Sequence, residues 1–228
     1  METFTVSQAF NLAWKRFGSN WAILIGLFLL QAIVGLIPVV GSLAVIFIFY
    51  PAVQQAALLA VRRGKVDFGE AFNPFGKLLE AGLFTFLVEL IPLVVIFIGY
   101  GPLLFGALII SPDIEEIGSL SASFGLVILG FILAVLFQLF FWAGPYFILD
   151  GKKGIGDAFG ASFSLFSQHT GKVISLMLLS IVIALLGALA CCVGLLVAAP
   201  VVQVAWAAAY VGLTEGALPG DTGASQQS

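Results

Sequence analysis

Charged side chains are scarce in this chain. Only 9% of its 228 residues are Asp, Glu, Lys or Arg, whereas a soluble domain carries about 25%. Hydrophobic residues make up 61% of the sequence. A water-soluble fold of this length could not bury so much apolar surface. Lipid must therefore be the solvent for most of the chain, and the sequence predicts an integral membrane protein.

The sequence also lacks the residues and motifs of several functional classes. It has one histidine, and its two cysteines are adjacent, which excludes a disulfide framework and the usual metal-finger spacings. It contains no P-loop, G-x-S-x-G, H-E-x-x-H or dinucleotide-binding motif. The small net charge of −3 and the absence of a basic run argue against nucleic acid. We therefore expect no enzymatic activity, no cofactor, no metal and no nucleic-acid partner.

Long apolar runs are present instead. A membrane-spanning helix needs about 20 predominantly apolar residues. The sequence predicts an all-α integral membrane protein with six transmembrane helices in three hairpins, a single membrane domain over residues 1–214, and a disordered cytoplasmic tail over residues 215–228. The predicted spans are residues 21–38, 42–61, 78–110, 122–149, 173–190 and 193–213.

The third predicted span is too long for one bilayer crossing. A single helix over residues 78–110 would extend about 50 Å, against a hydrocarbon core of about 30 Å. The run Gly99-Tyr100-Gly101-Pro102 predicts a helix break, because proline removes a backbone donor and glycine relaxes the chain. We expect a short second helix over residues 103–110, and a polar outer segment from Ser111 to Ser121.

The basic residues orient the chain. All nine Lys and Arg residues fall in gaps on one side of the six predicted spans, and the longest gap on the other side is acidic. The positive-inside rule then places both termini in the cytoplasm, with the protein in an inner membrane. We expect no cleavable signal, because Glu2 precedes any basic residue and no A-x-A site follows the first apolar run.

The two ends of the chain resemble each other at a shift of 149 residues. At this shift Pro51 aligns with Pro200 and Gln54 with Gln203, without a gap. A weaker third copy lies between them. The sequence thus predicts three repeat units, at about residues 5–63, 67–150 and 155–213.

Each repeat unit is predicted to begin with a short amphipathic helix. Apolar residues recur at helical spacing next to basic residues, which is typical of helices lying in the headgroup layer. The alternative is that these segments extend or cap the spans. The aromatic residues predicted to face lipid at the interface are Phe10, Trp14, Phe17, Phe72, Phe75, Phe159, Phe163 and Phe166.

The segment that begins Asp150-Gly-Lys-Lys-Gly-Ile-Gly-Asp-Ala-Phe, followed by a predicted hairpin and a late proline, resembles a broad bacterial superfamily. That superfamily includes the membrane domain of glycerophosphoryl diester phosphodiesterases and the YciC-like multi-pass proteins. The resemblance covers residues 5–213. It implies a six-helix membrane fold and no activity, because the chemistry of the phosphodiesterases resides in a soluble domain that this chain lacks.

Glu89 is the one carboxylate predicted to lie well inside a span. Ionisable residues at that depth are costly, so Glu89 is a candidate proton or cation coupling site. The alternative is a protonated side chain hydrogen-bonded to Gln138, Gln31 or a backbone carbonyl. Intramembrane glutamines either form interhelical hydrogen bonds or line a polar path. The candidate intramembrane polar site comprises Glu89, Gln138, Gln31, Gln54 and Gln203, with Gln55 nearby.

Three lysines are candidates for binding anionic headgroups: Lys152, Lys153 and Lys172. Their alternative role is only to orient the chain. We expect Cys191 and Cys192 to be reduced at an outer turn, and His169 to be a polar residue at headgroup level.

Two functions remain open. The favoured one is a non-enzymatic accessory or scaffold subunit that binds lipid, a membrane protein partner or a second copy of itself. The other is a small transporter or channel that uses Glu89 and the intramembrane glutamines.

Overall fold

The computed structural model describes residues 4–109 and 116–219, without the side chains of residues 101–123 and 191–193. These residues form helices and turns, and no β-strand occurs among them. The helices are α1 (Val6–Gly35), α2 (Val40–Ala44), α3 (Tyr50–Arg63), α4 (Phe75–Ile109), α5 (Glu116–Phe141), α6 (Gly144–Leu149), α7 (Ile155–Gln168), α8 (Thr170–Leu189) and α9 (Cys191–Glu215). A π-helical turn, Val45–Phe49, joins α2 to α3, and a 3₁₀ turn, Phe68–Ala71, precedes α4.

The described chain is all-helical, as predicted, and six of its helical segments are long and apolar enough to cross a membrane. They are Val6–Gly35, Val40–Arg63, Phe75–Tyr100, Phe124–Leu149, Thr170–Leu189 and Gly194–Glu215.

The predicted break at residues 99–102 is wrong. Helix α4 continues through Gly101 and Pro102 to Ile109, a length of 35 residues or about 52 Å. Proline within a helix removes one backbone hydrogen bond and crowds the carbonyl of residue i−4, but membrane helices tolerate proline where neighbouring groups satisfy the freed backbone. The separate helix predicted over residues 103–110 is therefore the end of α4.

Some predictions lie outside the described residues. These are the outer segment at residues 110–115, the tail at residues 220–228, and the side chains of Cys191 and Cys192.

The first predicted amphipathic segment and the first predicted span form one helix, and this helix bends. Thr5 caps α1, since its side chain accepts the N–H of Gln8 while the Gln8 side chain accepts the N–H of Thr5. The bend is at Asn20, whose backbone angles are non-helical (φ −131°, ψ 15°). His169, between α7 and α8, has similar angles (φ −127°, ψ 27°). His169 follows Asn20 by 149 residues, the shift found in the sequence.

The chain divides into two compact units. Unit 1 comprises Met1–Phe84 and Ala143–Ser228, and unit 2 comprises Thr85–Trp142. In unit 2, α4 and α5 approach closely where Gly130 meets Ile96. A Cβ on Gly130 would lie 3.0 Å from the backbone nitrogen of Ile96.

The core of unit 1 lies around α3 and α9. Every residue from Pro51 to Val61 on α3 is buried, and α9 is mostly buried between Pro200 and Gly212. Many of these residues are alanines, and small residues let membrane helices approach closely. Fully buried alanines are Ala52, Ala56, Ala57, Ala60, Ala205, Ala207 and Ala208. Helix α8 instead leaves large apolar side chains exposed, including Leu178, Leu185 and Leu189.

Candidate functional site: a charged cluster at three helix ends

Three helices of unit 1 end next to a glycine with positive φ. Gly64 (φ 87°) follows α3, Gly151 (φ 71°) follows α6 and Asp150, and Gly216 (φ 77°) follows α9. Glycine adopts such angles without the steric penalty of a Cβ atom, and it therefore ends helices readily. One or two residues before each glycine is a charged side chain: Arg62, Asp150 and Glu215 respectively.

These three charges meet. The Nη2 atom of Arg62 lies 2.8 Å from Oδ2 of Asp150 and 2.6 Å from Oε1 of Glu215. Lys152 completes the cluster, with Nζ 2.9 Å from the same Asp150 oxygen and 3.0 Å from the same Glu215 oxygen. Two cations and two anions thus alternate, and their formal charges cancel.

Asp150 is the most enclosed member of the charged cluster. Its side chain is 8% exposed, compared with 32% for Arg62 and 41% for Glu215. A buried charge is costly unless it is paired and hydrogen-bonded. Asp150 meets both conditions, because the Tyr210 hydroxyl also donates to its Oδ2, at 3.2 Å.

The electrostatics of the cluster keep Lys152 charged. Burial by itself lowers the pKa of Lys152, but its hydrogen bonds to Asp150 and Glu215 and the charges of those carboxylates outweigh burial and raise the pKa above its usual value. Lys152 Nζ also lies 5.7 Å from the centre of the Tyr210 ring, within cation–π range.

Polar aromatic side chains continue from the cluster into the core. The Tyr210 ring stacks on Tyr146 with centroids 5.5 Å apart, and the Tyr146 hydroxyl donates to Oε1 of Gln203 at 3.4 Å. Gln203 lies 12 residues before Glu215 on α9, a distance of about 18 Å along the helix. The chain therefore holds a polar column inside an otherwise apolar core.

Two further glutamines of the core have incomplete hydrogen bonding. Gln54 is 3% exposed and Gln55 is 8% exposed, and the Oε1 atom of each is buried without a hydrogen-bond partner among the described residues. Oε1 of Gln31, on α1, is also buried without a hydrogen-bond partner among the described residues.

The residues of the predicted polar site fall in two compact units. Gln31, Gln54 and Gln203 belong to unit 1, whereas Glu89 and Gln138 belong to unit 2. Within unit 2, Glu89 is half-buried and Gln138 is exposed, and the described residues of that unit show no hydrogen bond between them. The alternative that Gln138 holds Glu89 by a hydrogen bond is therefore wrong.

The aromatic residues predicted to face lipid fall into two groups. Trp14, Phe75 and Phe163 are about half exposed, while Phe72 and Phe159 are partly buried. Phe10, Phe17 and Phe166 are buried inside the protein, which corrects the expectation that they face lipid. Their apolar stripe packs on neighbouring helices; for Phe10 and Phe17 on α1, the neighbours of that helix include α9.

The predicted headgroup lysines also separate. Lys152 is held by two carboxylates, so it is not the free headgroup ligand that the sequence predicted. Lys153 is exposed, and Nζ of Lys172 lies 5.8 Å from the Phe4 ring centre.

Sequence reasoning missed Arg62, Asp150, Glu215 and Tyr210 as a group. The available signal was a charged residue just before a glycine at three predicted span ends. Among the side chains that the structure describes, no group of three His, Cys, Asp or Glu residues could hold a metal ion.

Comparison with protein-family models, with curated proteins and with solved structures finds no match to this chain.

Proposed function

We propose that this protein is a non-enzymatic accessory or scaffold subunit of the bacterial inner membrane that binds lipid or a membrane partner. The observation that carries this proposal is the contrast within unit 1. Its centre is closed, with small residues along α3 and α9 and the charged cluster at their ends. The outer faces, such as that of α8, are broad and apolar.

The proposal includes an orientation. The charged cluster contains two of the nine basic residues, all of which lie on one side of the predicted spans. Positive residues concentrate on the cytoplasmic side of bacterial inner-membrane proteins. Both termini and the charged cluster are then cytoplasmic.

The proposal also includes a fold of three hairpin units, each of which follows an amphipathic helix. The resemblance to the bacterial superfamily implies a six-helix membrane fold of this kind. The matching bends at Asn20 and His169 support a repeat, as do the three helix ends with a positive-φ glycine. The half-exposed Trp14 and Phe163 suit helices at the membrane surface. One difference between the outer units remains: Pro51 follows a π-helical turn, whereas Pro200 lies inside α9.

A small transporter is the second candidate, and the buried glutamine oxygens favour it. A polar substrate or ion could satisfy Oε1 of Gln54, Gln55 or Gln31, which have no partner in the described chain. Against it, the charged cluster closes the ends of α3 and α9 with four mutually paired charges.

Replacement of Glu89 by Gln separates the two functions. On the scaffold reading, Glu89→Gln keeps hydrogen-bonding capacity and leaves folding and the bound lipid or partner unchanged. On the transport reading, it removes a titrating group and abolishes pH-dependent flux in proteoliposomes. Flux and native mass spectrometry in mild detergent are measured on the same preparation.

Glu80→Gln is the matched control, because Glu80 lies nine residues earlier on α4 and is exposed. The scaffold proposal would be overturned if the wild type shows pH-dependent flux, Glu89→Gln abolishes that flux and Glu80→Gln retains it. Wild-type protein that retains lipid or a partner at a fixed ratio, without flux, supports it.

A further inference from the structure

One arginine of unit 1 has no anion. Arg16 lies on α1, four residues before the bend at Asn20, and is half-buried. Its Nε atom is buried without a hydrogen-bond partner, and no carboxylate among the described side chains forms an ion pair with it. Arg62 and Arg63, by contrast, both have carboxylate partners. A partly desolvated guanidinium is costly without a negatively charged acceptor.

The guanidinium of Arg16 rests on a glycine. A Cβ atom added to Gly64 would lie 2.5 Å from Nη1 of Arg16, so any other residue at position 64 would displace the arginine. Gly64 also has a positive φ of 87°, which disfavours other residues. The Arg16 side chain therefore occupies space that only glycine leaves open.

Asn20 fixes this arrangement. Its Nδ2 donates to the carbonyl oxygens of Arg16 (2.9 Å) and Gly64 (2.8 Å), and its Oδ1 accepts the backbone N–H of Val66 (3.0 Å). The bend in α1 and the turn after α3 are thus tied by one buried side chain. These bonds hold the backbone of Arg16 beside the turn that contains Gly64.

The surroundings of Arg16 are positive. Lys15 and Lys65 are exposed and are sequence neighbours of Arg16 and Gly64. Of the acids that follow Lys65, Glu70 pairs with Arg63 at 3.2 Å and accepts the backbone N–H of Asp67. The Asp67 side chain is exposed and forms no ion pair with Arg16 among the described side chains. Neither acid neutralises Arg16.

The flanking tryptophans indicate the depth of the site. Trp14 and Trp21 lie on either side of Arg16 along α1, and both are at least half exposed. Tryptophan concentrates at the membrane–water interface, where headgroup phosphates are found.

We propose that Arg16, seated on Gly64, binds the phosphate of an anionic phospholipid headgroup, with Lys15 and Lys65 adding positive charge around it. Arginine suits this ligand because its planar fork can donate two parallel N–H···O bonds to one phosphate. The inference rests on the proposed lipid-binding function and gives it a location. It also moves the headgroup site away from Lys152, whose charge the carboxylates of the cluster neutralise.

The test compares Arg16→Gln, Arg16→Lys and Lys153→Gln in vesicles of phosphatidylcholine with and without phosphatidylglycerol. Tryptophan quenching by brominated phosphatidylglycerol and by brominated phosphatidylcholine gives the relative affinity for the anionic lipid. Arg16→Gln is expected to lower that relative affinity about tenfold, because a charge-assisted hydrogen-bonded pair is lost. Arg16→Lys retains the charge but not the fork, so its loss is expected to be smaller. Lys153→Gln, which removes one exposed charge, is expected to retain the wild-type preference.

Three results separate the outcomes. If the wild type prefers phosphatidylglycerol and Arg16→Gln has the same preference, the Arg16 site is overturned but lipid binding is not. No preference in the wild type itself counts against the proposed function as well. Displacement of the brominated anionic lipid by inorganic phosphate would assign the site to free phosphate instead of lipid. Equal thermal unfolding of the variants in detergent shows that each loss is one of binding and not of folding.

Discussion

Asp150 is the residue on which the charged cluster depends. It accepts from Arg62 and Tyr210 and pairs with Lys152, yet its side chain is only 8% exposed. If Arg62 is removed, Asp150 keeps only Lys152 and Tyr210 as partners, and a buried charge that loses a partner is more destabilising than the loss of the whole pair. The cluster therefore joins the ends of α3 and α9 to the end of α6 through a single carboxylate.

We predict that Arg62→Met and Asp150→Asn each lower the free energy of unfolding by about 2 kcal/mol, below the value for a fully buried pair because Arg62 is partly exposed. The double variant is expected to lose less than the sum of the single losses. Thermal unfolding in detergent, followed by tryptophan fluorescence, gives the coupling energy. Strict additivity would show that the two side chains do not interact. Arg63→Met is the control, since Arg63 pairs with Glu70 at an exposed position.

At the scale of the elements, the positions of bends and turns cannot be predicted from glycine and proline alone. Helix α1 bends at Asn20, whose side chain satisfies backbone groups that the bend releases. Helix α4 remains helical through Gly101 and Pro102, where the sequence predicts a break. The π-helical turn at Val45–Phe49 carried no sequence signal that we recognised, although Pro51 follows it closely.

Gly82 marks the contact between α4 and the π-helical turn. A Cβ atom at this position would lie 2.6 Å from Cα of Phe47 and 2.9 Å from the carbonyl oxygen of Ile46. These are backbone atoms, so they cannot move aside as a flexible side chain could. The close approach explains why glycine is needed at a position that is otherwise helical.

We predict opposite effects for two glycine-to-alanine changes on α4. Gly82→Ala is expected to destabilise the protein by about 1–3 kcal/mol through overpacking. Gly76→Ala is expected to stabilise it by up to about 1 kcal/mol, because alanine favours the helix and nothing lies within 4 Å of the added atom. Melting temperatures in the same detergent compare the two. A stable Gly82→Ala variant would show that α4 does not lie against Val45–Phe49.

At the scale of the whole molecule, the candidate groups are distributed over the two compact units. Unit 1 holds the charged cluster, the glutamines of α1, α3 and α9, and Arg16, whereas unit 2 holds Glu89 and Gln138. The five residues grouped from the sequence therefore belong to different parts of the chain.

Orientation is a property of the whole chain, and we predict that residue 119 is outside while residue 156 is cytoplasmic. The reason is the one-sided distribution of the nine basic residues. Single cysteines are placed at Ser119 and Gly156 in a background in which Cys191 and Cys192 are replaced by serine. An impermeant thiol reagent applied to intact spheroplasts is expected to label only the first. Labelling of Gly156→Cys in intact cells, with Ser119→Cys protected, would reverse the proposed orientation. Gly156 is a suitable reporter because it is exposed and nothing lies within 4 Å of an added side-chain atom.

The sequence by itself determined the membrane class and the approximate positions of the six apolar helices. These properties depend on composition averaged over about 20 consecutive residues, so they can be read without knowing which helices touch. The bends at Asn20 and His169, 149 residues apart, coincide with the junctions between the predicted amphipathic segments and the spans.

The tertiary structure alone decided which faces of those helices are buried and which charges are paired. A helical stripe of aromatic residues looks the same whether lipid or another helix covers it, and so the burial of Phe10, Phe17 and Phe166 could not be derived. Arg62, Asp150 and Glu215 are far apart in the chain, and their pairing requires three helix ends to meet at one point. Arg16 is a candidate site only because the fold places its guanidinium against Gly64 and pairs it with no described carboxylate. Pairing depends on distances across the fold, whereas the sequence reports only distances along the chain.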